Sequence, residues 1–442
     1  MTGLDALRRQ LPPLEETVSY IRSLKKATTS DLLAEADRTR TFLVQPRCGV
    51  GDHDAMIALL REIDEQGAPD VLTLTVDSYT RLLDLKNARQ VLMSDGARLN
   101  GYPVITHGYR KVRQINELFS RPVQVRHGSP DGRLLFAVSL AGGLTSFEGG
   151  PIGYNLPYCK RVPLKHSLAA WRDIDERVGS LWRDHGIRVE RELFGTLTAV
   201  LVPPAVALSV LFIEAKLATD VGCTVLTPAY PQSGNLVQDV AALRVIRKLA
   251  AAYLPSRVQV YPTLHQFMGV FPQDRQKAES IIFLGGLTAR LGGATKVINK
   301  TYQEAIGVPN AQANAAGIKQ TRATAAGYFA GLQPDEAQVQ EEMYWLERET
   351  RELVDDLIGQ DGLGARILDR FSRGLLDIPF PANPEAKGEV IPVRDERGAV
   401  RFAKFGKLPF SSKVKKRNMD LVNAGGSESL HKRVRDGIMY FA

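Results

Sequence analysis

Charged residues stand where short apolar runs give way to polar turns: Arg47 in QPRCGV, Asp77 and Arg81 in TVDSYTR, His107 in ITHG, Arg126 and His127 in VRHGSPD, Glu148 in SFEGGP, Lys300 and Glu304 in NKTYQE. A guanidinium can hold a carboxylate by two parallel charge-assisted hydrogen bonds. Arg47, Arg81 and Arg126 gathered at one rim would therefore form a receptor for a substrate with two carboxylates. Glu148 would offer a negative group to a substrate ammonium, or a proton acceptor. Any one of these arginines has a plainer reading, as the partner of a structural carboxylate, and His127 reads equally as a satisfied core histidine. The joint placement is what favours a site.

The chain shows no chemical engine of its own. It has no GxGxxG after a strand and no Walker A run, and no GxSxG elbow. Its seven histidines show no HxH or HExxH metal spacing. A polar pocket for a small anionic substrate with no obvious reactive group implies a borrowed cofactor.

The elements that must position these residues alternate. Strand-like runs fall at Phe42–Gln45, Val71–Thr75, Pro103–Thr106, Val123–Val125, Leu144–Phe147, Leu197–Val202, Thr224–Thr227, Val258–Tyr261 and Thr295–Ile298, with amphipathic helices such as Asp54–Gln66 and Leu236–Tyr253 between them. Alternation of this kind gives a mostly parallel α/β sheet. Its length favours a closed (β/α)8 (TIM) barrel, which needs roughly 250 residues, although one strand is then in excess. The pattern alone leaves an open doubly wound sheet as an alternative. Residues 1–40 read as N-terminal helices, 41–330 as the barrel carrying the site, and 331–442 as a C-terminal α+β extension. That extension holds a helix over Pro334–Ile358, a hairpin in VRDERGAVRF turning near Glu396–Gly398, and a basic segment.

Composition narrows the class. With 44% hydrophobic and 24% charged residues, the 442-residue chain is that of a globular protein with a full core. Three widely spaced cysteines, without a CxxC pair, fit a reducing cytoplasm rather than a disulfide or zinc scaffold. The N-terminus lacks the apolar core of a signal peptide. The most apolar stretch, Thr196–Ile213, is broken by Pro203-Pro204 and reads as a buried strand leading into a helix, not a membrane span. The dense basic run Lys413–Arg417 lacks interleaved aromatics, so it reads as a solvated segment and not a nucleic-acid platform.

The runs QPRCGV, TVDSYTR, LNGYPVITHG, VQVRHGSPDGRLL, TSFEGGPIGYNLPY, LVPP, SGNLVQDVAALR, FPQDRQKA, ATKVINKTYQEAIG, NAAGIK and IPVRDERGAVRF resemble, in order, the large (E, or epsilon) subunit family of glutamate (methylaspartate) mutase. The similarity extends from about residue 40 to about residue 410. It implies a TIM barrel that takes the adenosyl end of adenosylcobalamin, and a radical fragmentation and recombination that interconverts L-glutamate and 3-methylaspartate. Arg47, Arg81 and Arg126 match the family's arginine claw, with His127 beside it. Glu148 matches the residue facing the substrate amino group, and Tyr154 and Tyr158 match the tyrosines completing the pocket. Gly49, Asn100, Pro157, Phe271, Lys300, Glu304 and Val308 fall where the family contacts the coenzyme.

The resemblance also implies a partner. Cobalt in such proteins is bound by the histidine of a DxHxxG motif, which this chain lacks. A separate small cobalamin-binding subunit is expected to carry it, in an assembly of two large and two small subunits. Two other readings are a paralogous mutase for a different amino dicarboxylate, and a catalytically silent barrel that binds an acidic metabolite or a partner. The coenzyme-facing charges Lys300 and Glu304 argue against the silent barrel. Pro151 stands where the family has a third glycine and Gly153 where it has serine. Pro151 removes an amide donor, so the loop after Glu148 is expected to be reshaped.

Overall fold

The structure is a computed structural model that describes residues 10–196, 200–426 and 428–442. Nine short strands, β1 (Leu43–Gln45), β2 (Leu72–Thr75), β3 (Val123–Arg126), β4 (Ser146–Glu148), β5 (Glu190–Phe194), β6 (Val225–Pro231), β7 (Gln259–Val260), β8 (Thr263–His265) and β9 (Lys296–Ile298), form one sheet. The order is β1-β9-β8-β6-β5-β4-β3-β2, and every pairing is parallel. β7 and β8 both pair with β6 and form one stave interrupted at Tyr261-Pro262. The Asp70 amide donates to the Val44 carbonyl (2.9 Å) and the Thr75 amide to the Cys48 carbonyl (2.8 Å), which lays β1 against β2. Eight staves thus close nearly into a barrel, and helices fill the outside.

Two expectations need correction. Pro103–Thr106 is not a strand; Val104 begins a helical segment that runs to Leu118 with a kink at Gly108. His107 is therefore not at a strand end, and it bonds the Gly51 carbonyl while stacking on Tyr102 at 4.6 Å. The run Leu197–Val202 lies partly outside the described residues, and its described part, 200–202, is turn and irregular backbone. The fifth stave is instead β5, with the sequence ERELF.

β5 explains itself once the barrel is closed. Alternate strand residues point to opposite faces, so Glu190 and Glu192 face the interior while Arg191 faces the helices. Inside, Lys296 of β9 reaches both Glu190 and Glu192 at 2.7 Å. Gln45 donates to Thr73 (3.0 Å) and Gln124 (2.6 Å), and Gln124 donates to Ser146 (2.7 Å). The barrel centre is thus a polar network rather than the usual branched aliphatic layers. Outside, Arg191 pairs with Asp175 at 2.6 Å and donates to the carbonyls of Phe147 and Gly149.

Helices Leu14–Ser23 and Thr29–Thr39 precede the barrel. The helix Glu336–Val354 packs across Leu236–Tyr253 and Pro204–Asp220 on its outer layer. The hairpin pairs β10 (Val390–Arg394) with β11 (Val400–Phe405) around the expected turn. The basic run lies in the helix Ser412–Ala424, where Arg417 is mostly buried and pairs with Glu342 at 2.5 Å, so the segment is docked rather than wholly solvated.

Replacing Lys296 with Met would leave Glu190 without a cationic partner in the barrel centre. Loss of one member of a buried ion pair costs about 3–5 kcal/mol, and urea unfolding of Lys296→Met is expected to show a loss of that order. A change below about 1 kcal/mol would mean that the pair does not organise the interior.

Candidate active site

Of the three claw arginines and Glu148, three are set by strand ends and one by a helix. Arg126 is the last residue of β3 and Glu148 the last of β4, while Arg47 follows β1 by two residues. Arg81 lies in the short helix Ser78–Arg81, whose N-cap Asp77 is fully buried and accepts the amides of Tyr79 (2.9 Å) and Thr80 (3.0 Å). Asp77 is thus the group that aims Arg81, not a ligand for substrate. Asn100 adds to this support, because its side-chain oxygen accepts the Ser78 amide at 3.0 Å.

These groups converge on one cavity of about 130 Å³, lined by Arg47, Thr75, Arg81, Arg126, His127, Gly128, Glu148, Tyr154, Tyr158, His265 and Met268. All seven residues expected to meet substrate line it. A much larger groove, about 730 Å³, lies on the outer helices and includes none of the three arginines. The cavity's volume suits one small metabolite rather than a drug-sized ligand.

The arginines are not equivalent. Arg126 is buried between two carboxylates, 2.6 Å from Glu148 and 2.9 Å from Glu192, and also donates to Gln124 at 2.9 Å. Burial works against its charge, but the two carboxylates outweigh burial and fix it as a cation. Arg47 and Arg81 have no carboxylate partner among the described residues, and the Nε atom of each is buried without a hydrogen bond. A buried donor left unpaired is costly, so two guanidiniums aimed into one cavity call for an anionic ligand.

Glu148 is the negative pole. Burial pushes its carboxyl above the usual range, the Glu192 charge adds to this, and Arg126 opposes it. The Tyr154 phenol faces Glu148 across the cavity, and the His127 amide donates to the Glu148 carboxylate at 2.7 Å. The His127 ring is committed elsewhere. Its Nε2–H donates to the Glu148 carbonyl (2.9 Å) and its Nδ1 accepts the Ser129 amide (2.9 Å). Burial drives its pKa down to about 3. His127 is both a core histidine and a cavity wall, and it presents a ring packed against Phe147 and Trp171 rather than a free nitrogen.

Lys300 and Glu304 form an ion pair one turn apart beside Phe271, outside the cavity lining. Burial, and after it the Arg47 charge against the pull of Glu304, lowers the Lys300 pKa. Gly49 is buried against the Thr75 carbonyl and Gly101, Pro157 lies in the turn between Tyr154 and Tyr158, and Val308 is exposed.

Sequence reasoning missed His265 and Glu192. His265 ends β8, with its Nδ1–H donating to the Gln266 carbonyl at 2.7 Å and its Nε2 buried without a partner. Burial, with the charges of Arg47, Arg126 and Lys300, keeps it neutral, so it offers the cavity a lone pair. Its signal was the strand end TLH, displaced by the break at Pro262.

The sequence profile of the family described as "Methylaspartate mutase E chain" matches residues 25–434. The glutamate mutase epsilon subunit of Haloarcula marismortui is 41% identical over 408 residues, covering 91% of this chain and 83% of that one. That of Halobacterium salinarum is 42% identical over 394 residues, covering 87% and 81%. That of Desulfitobacterium hafniense is 39% identical over 425 residues, covering 94% and 88%.

The depressed His127 pKa links stability to pH. Below about 6.5 an unfolded chain takes up a proton on this ring that the folded chain refuses until about 3, so its contribution is lost as pH falls through that window. His127→Gln is expected to be less stable than wild type at pH 7. That gap would narrow by about 2 kcal/mol at pH 5 in urea unfolding; a constant gap would contradict a neutral buried ring.

Proposed function

The chain belongs to the methylaspartate mutase E chain family, the large subunit of glutamate mutase, an isomerase, and from that premise we propose how its site holds a substrate that is taken apart and rejoined. L-Glutamate and 3-methylaspartate each carry two carboxylates and one ammonium. The observation that carries the reading is the pair of unpartnered guanidiniums, Arg47 and Arg81, facing the same small cavity as the Arg126–Glu148 ion pair. One substrate carboxylate takes the donors of Arg47 and Arg81 and the other meets Arg126, while the ammonium meets Glu148 and Tyr154. Fixed contacts on both ends keep two fragments from separating while the bond between them is broken. Burial excludes water from the reacting centre.

The family is adenosylcobalamin-dependent, and the mouth of this barrel suits that coenzyme. Tyr79, Leu82, Met93, Tyr158, Val270 and Ile306 are large apolar side chains, each at least 36% exposed, and all follow strand ends on the site's face. Exposed apolar side chains in such loops offer area for an interaction. That area would receive a flat macrocycle presented by a separate small subunit, in an assembly of two large and two small subunits. Lys300 and Glu304 would hold the ribose hydroxyls at the rim, and Gly49, Asn100, Pro157, Phe271 and Val308 would complete the seat. When bound, the coenzyme supplies a carbon radical that takes a hydrogen atom from the substrate. No helix is long and apolar enough to cross a membrane among the described residues. Cys48, Cys159 and Cys223 are free and buried, as suits a reducing cytoplasm.

The test combines the purified chain, a small subunit bearing DxHxxG, adenosylcobalamin and L-glutamate. Methylaspartate is expected; product from a different amino dicarboxylate alone would reassign the substrate. Arg81→Lys is expected to keep the fold and lower kcat/KM by about 100-fold, because a lysine cannot reproduce a bidentate pair and the lost charged bonds are worth about 1.5–3 kcal/mol. Near wild-type kcat/KM would remove Arg81 from the claw.

A further inference from the structure

One buried carboxyl takes no part in the proposed chemistry yet touches the loop that carries it. Glu214 lies in the helix Pro204–Asp220, whose run PAVALSVLFI is uncharged and buried, and it is itself 1% exposed. An acid in such a place is costly unless its oxygens are used. Glu214 Oε1 accepts the amides of Ile152 (2.7 Å) and Gly153 (2.9 Å). These are the amides that follow Pro151, which has none of its own. The loop Gly150–Tyr154 is pressed close on both sides. A Cβ at Gly150 would lie 2.2 Å from Glu214 Oε2, and one at Gly153 would lie 1.9 Å from the Phe194 carbonyl oxygen. Tyr154, the next residue, stacks on Phe194 at 6.0 Å and shares the cavity lining with Glu148.

We infer that Glu214 is a positioning residue for the reaction: from outside the barrel wall its carboxyl fixes the height of the Gly150–Tyr154 loop, and so the Tyr154–Glu148 contact that receives the substrate ammonium. The inference rests on the substrate reading above. The groups facing the carboxyl are Arg191 and Asp175, which pair with each other, so the loop amides are its direct partners. Burial raises the Glu214 pKa to about 8. An uncharged acceptor in the same shape is therefore a fair mimic of the group at neutral pH.

The experiment compares Glu214→Ala, Glu214→Gln and Gly150→Ala with wild type in the reconstituted holoenzyme. Two readouts are taken: KM and kcat for L-glutamate, and hydrogen exchange of the 149–158 segment in the chain alone. Losing both hydrogen bonds in Glu214→Ala is expected to raise KM about tenfold, with a smaller change in kcat and faster exchange at Ile152 and Gly153. Glu214→Gln, whose amide oxygen still accepts both, is expected to restore KM to within about threefold and to restore protection. Gly150→Ala, whose Cβ displaces the carboxyl, is expected to behave like Glu214→Ala, and it carries the test if Glu214→Ala fails to fold. Unchanged KM and exchange in folded Glu214→Ala, or no rescue by Glu214→Gln, overturns the inference. If wild type makes no methylaspartate, the substrate reading fails while the exchange data still decide whether Glu214 holds the loop.

Discussion

The site depends on the ion pairing of Arg126 with Glu148 and Glu192. A guanidinium 3% exposed and two nearly inaccessible carboxylates form a cluster in which no member tolerates loss of its partner. Lys296 extends the cluster by joining Glu192 to Glu190. Burial opposes the ionised form of Glu192, but Arg126 and then Lys296 outweigh it and hold its carboxyl below the usual range. The barrel interior therefore fixes the charge and direction of Arg126 from beneath, and the mouth inherits a guanidinium that does not need a ligand to be stable. Arg47 and Arg81 differ in this respect, because nothing in the described chain satisfies them. One arginine preorganises the pocket and two wait for an anion.

This division separates support from contact. Asp77 and Asn100 aim Arg81 through the helix they cap, and Arg191 braces the end of β4 by taking the carbonyls of Phe147 and Gly149. His127, whose two ring nitrogens are engaged by backbone, locks Ser129 and Glu148 relative to each other. Preorganisation of this sort lets fixed charges act on the substrate without rearranging during the reaction. It matters most when the substrate exists in two pieces, since a loose contact would release one of them.

Much of this was legible in the sequence, and the parts that were not share a cause. The convergence of Arg47, Arg81, Arg126 and Glu148 on one cavity could be expected because each stands at, or a few residues beyond, the end of a strand. β5 could not, because ERELF carries its charges in the strand itself, and only the closed barrel supplies Lys296 and Arg126 as partners. Pro103–Thr106 looked like a strand by composition, but Val104 opens a helix that buries Ile105, Val112 and Ile115. His265 was displaced from its strand end by Pro262, which cannot donate to the ladder. The relation of Glu214 to Ile152 and Gly153 spans about sixty residues, and no local pattern encodes it.

The central claim is that the interior cluster, through Glu192, sets the arginine that meets substrate. The most direct measurement is kcat/KM for L-glutamate in a reconstituted Glu192→Gln enzyme that still unfolds cooperatively. Glu192 does not line the cavity, so a simple contact model predicts wild-type kinetics. The account predicts a fall of about tenfold or more, the scale of one charge-assisted hydrogen bond. Unchanged kcat/KM in the folded variant would contradict it.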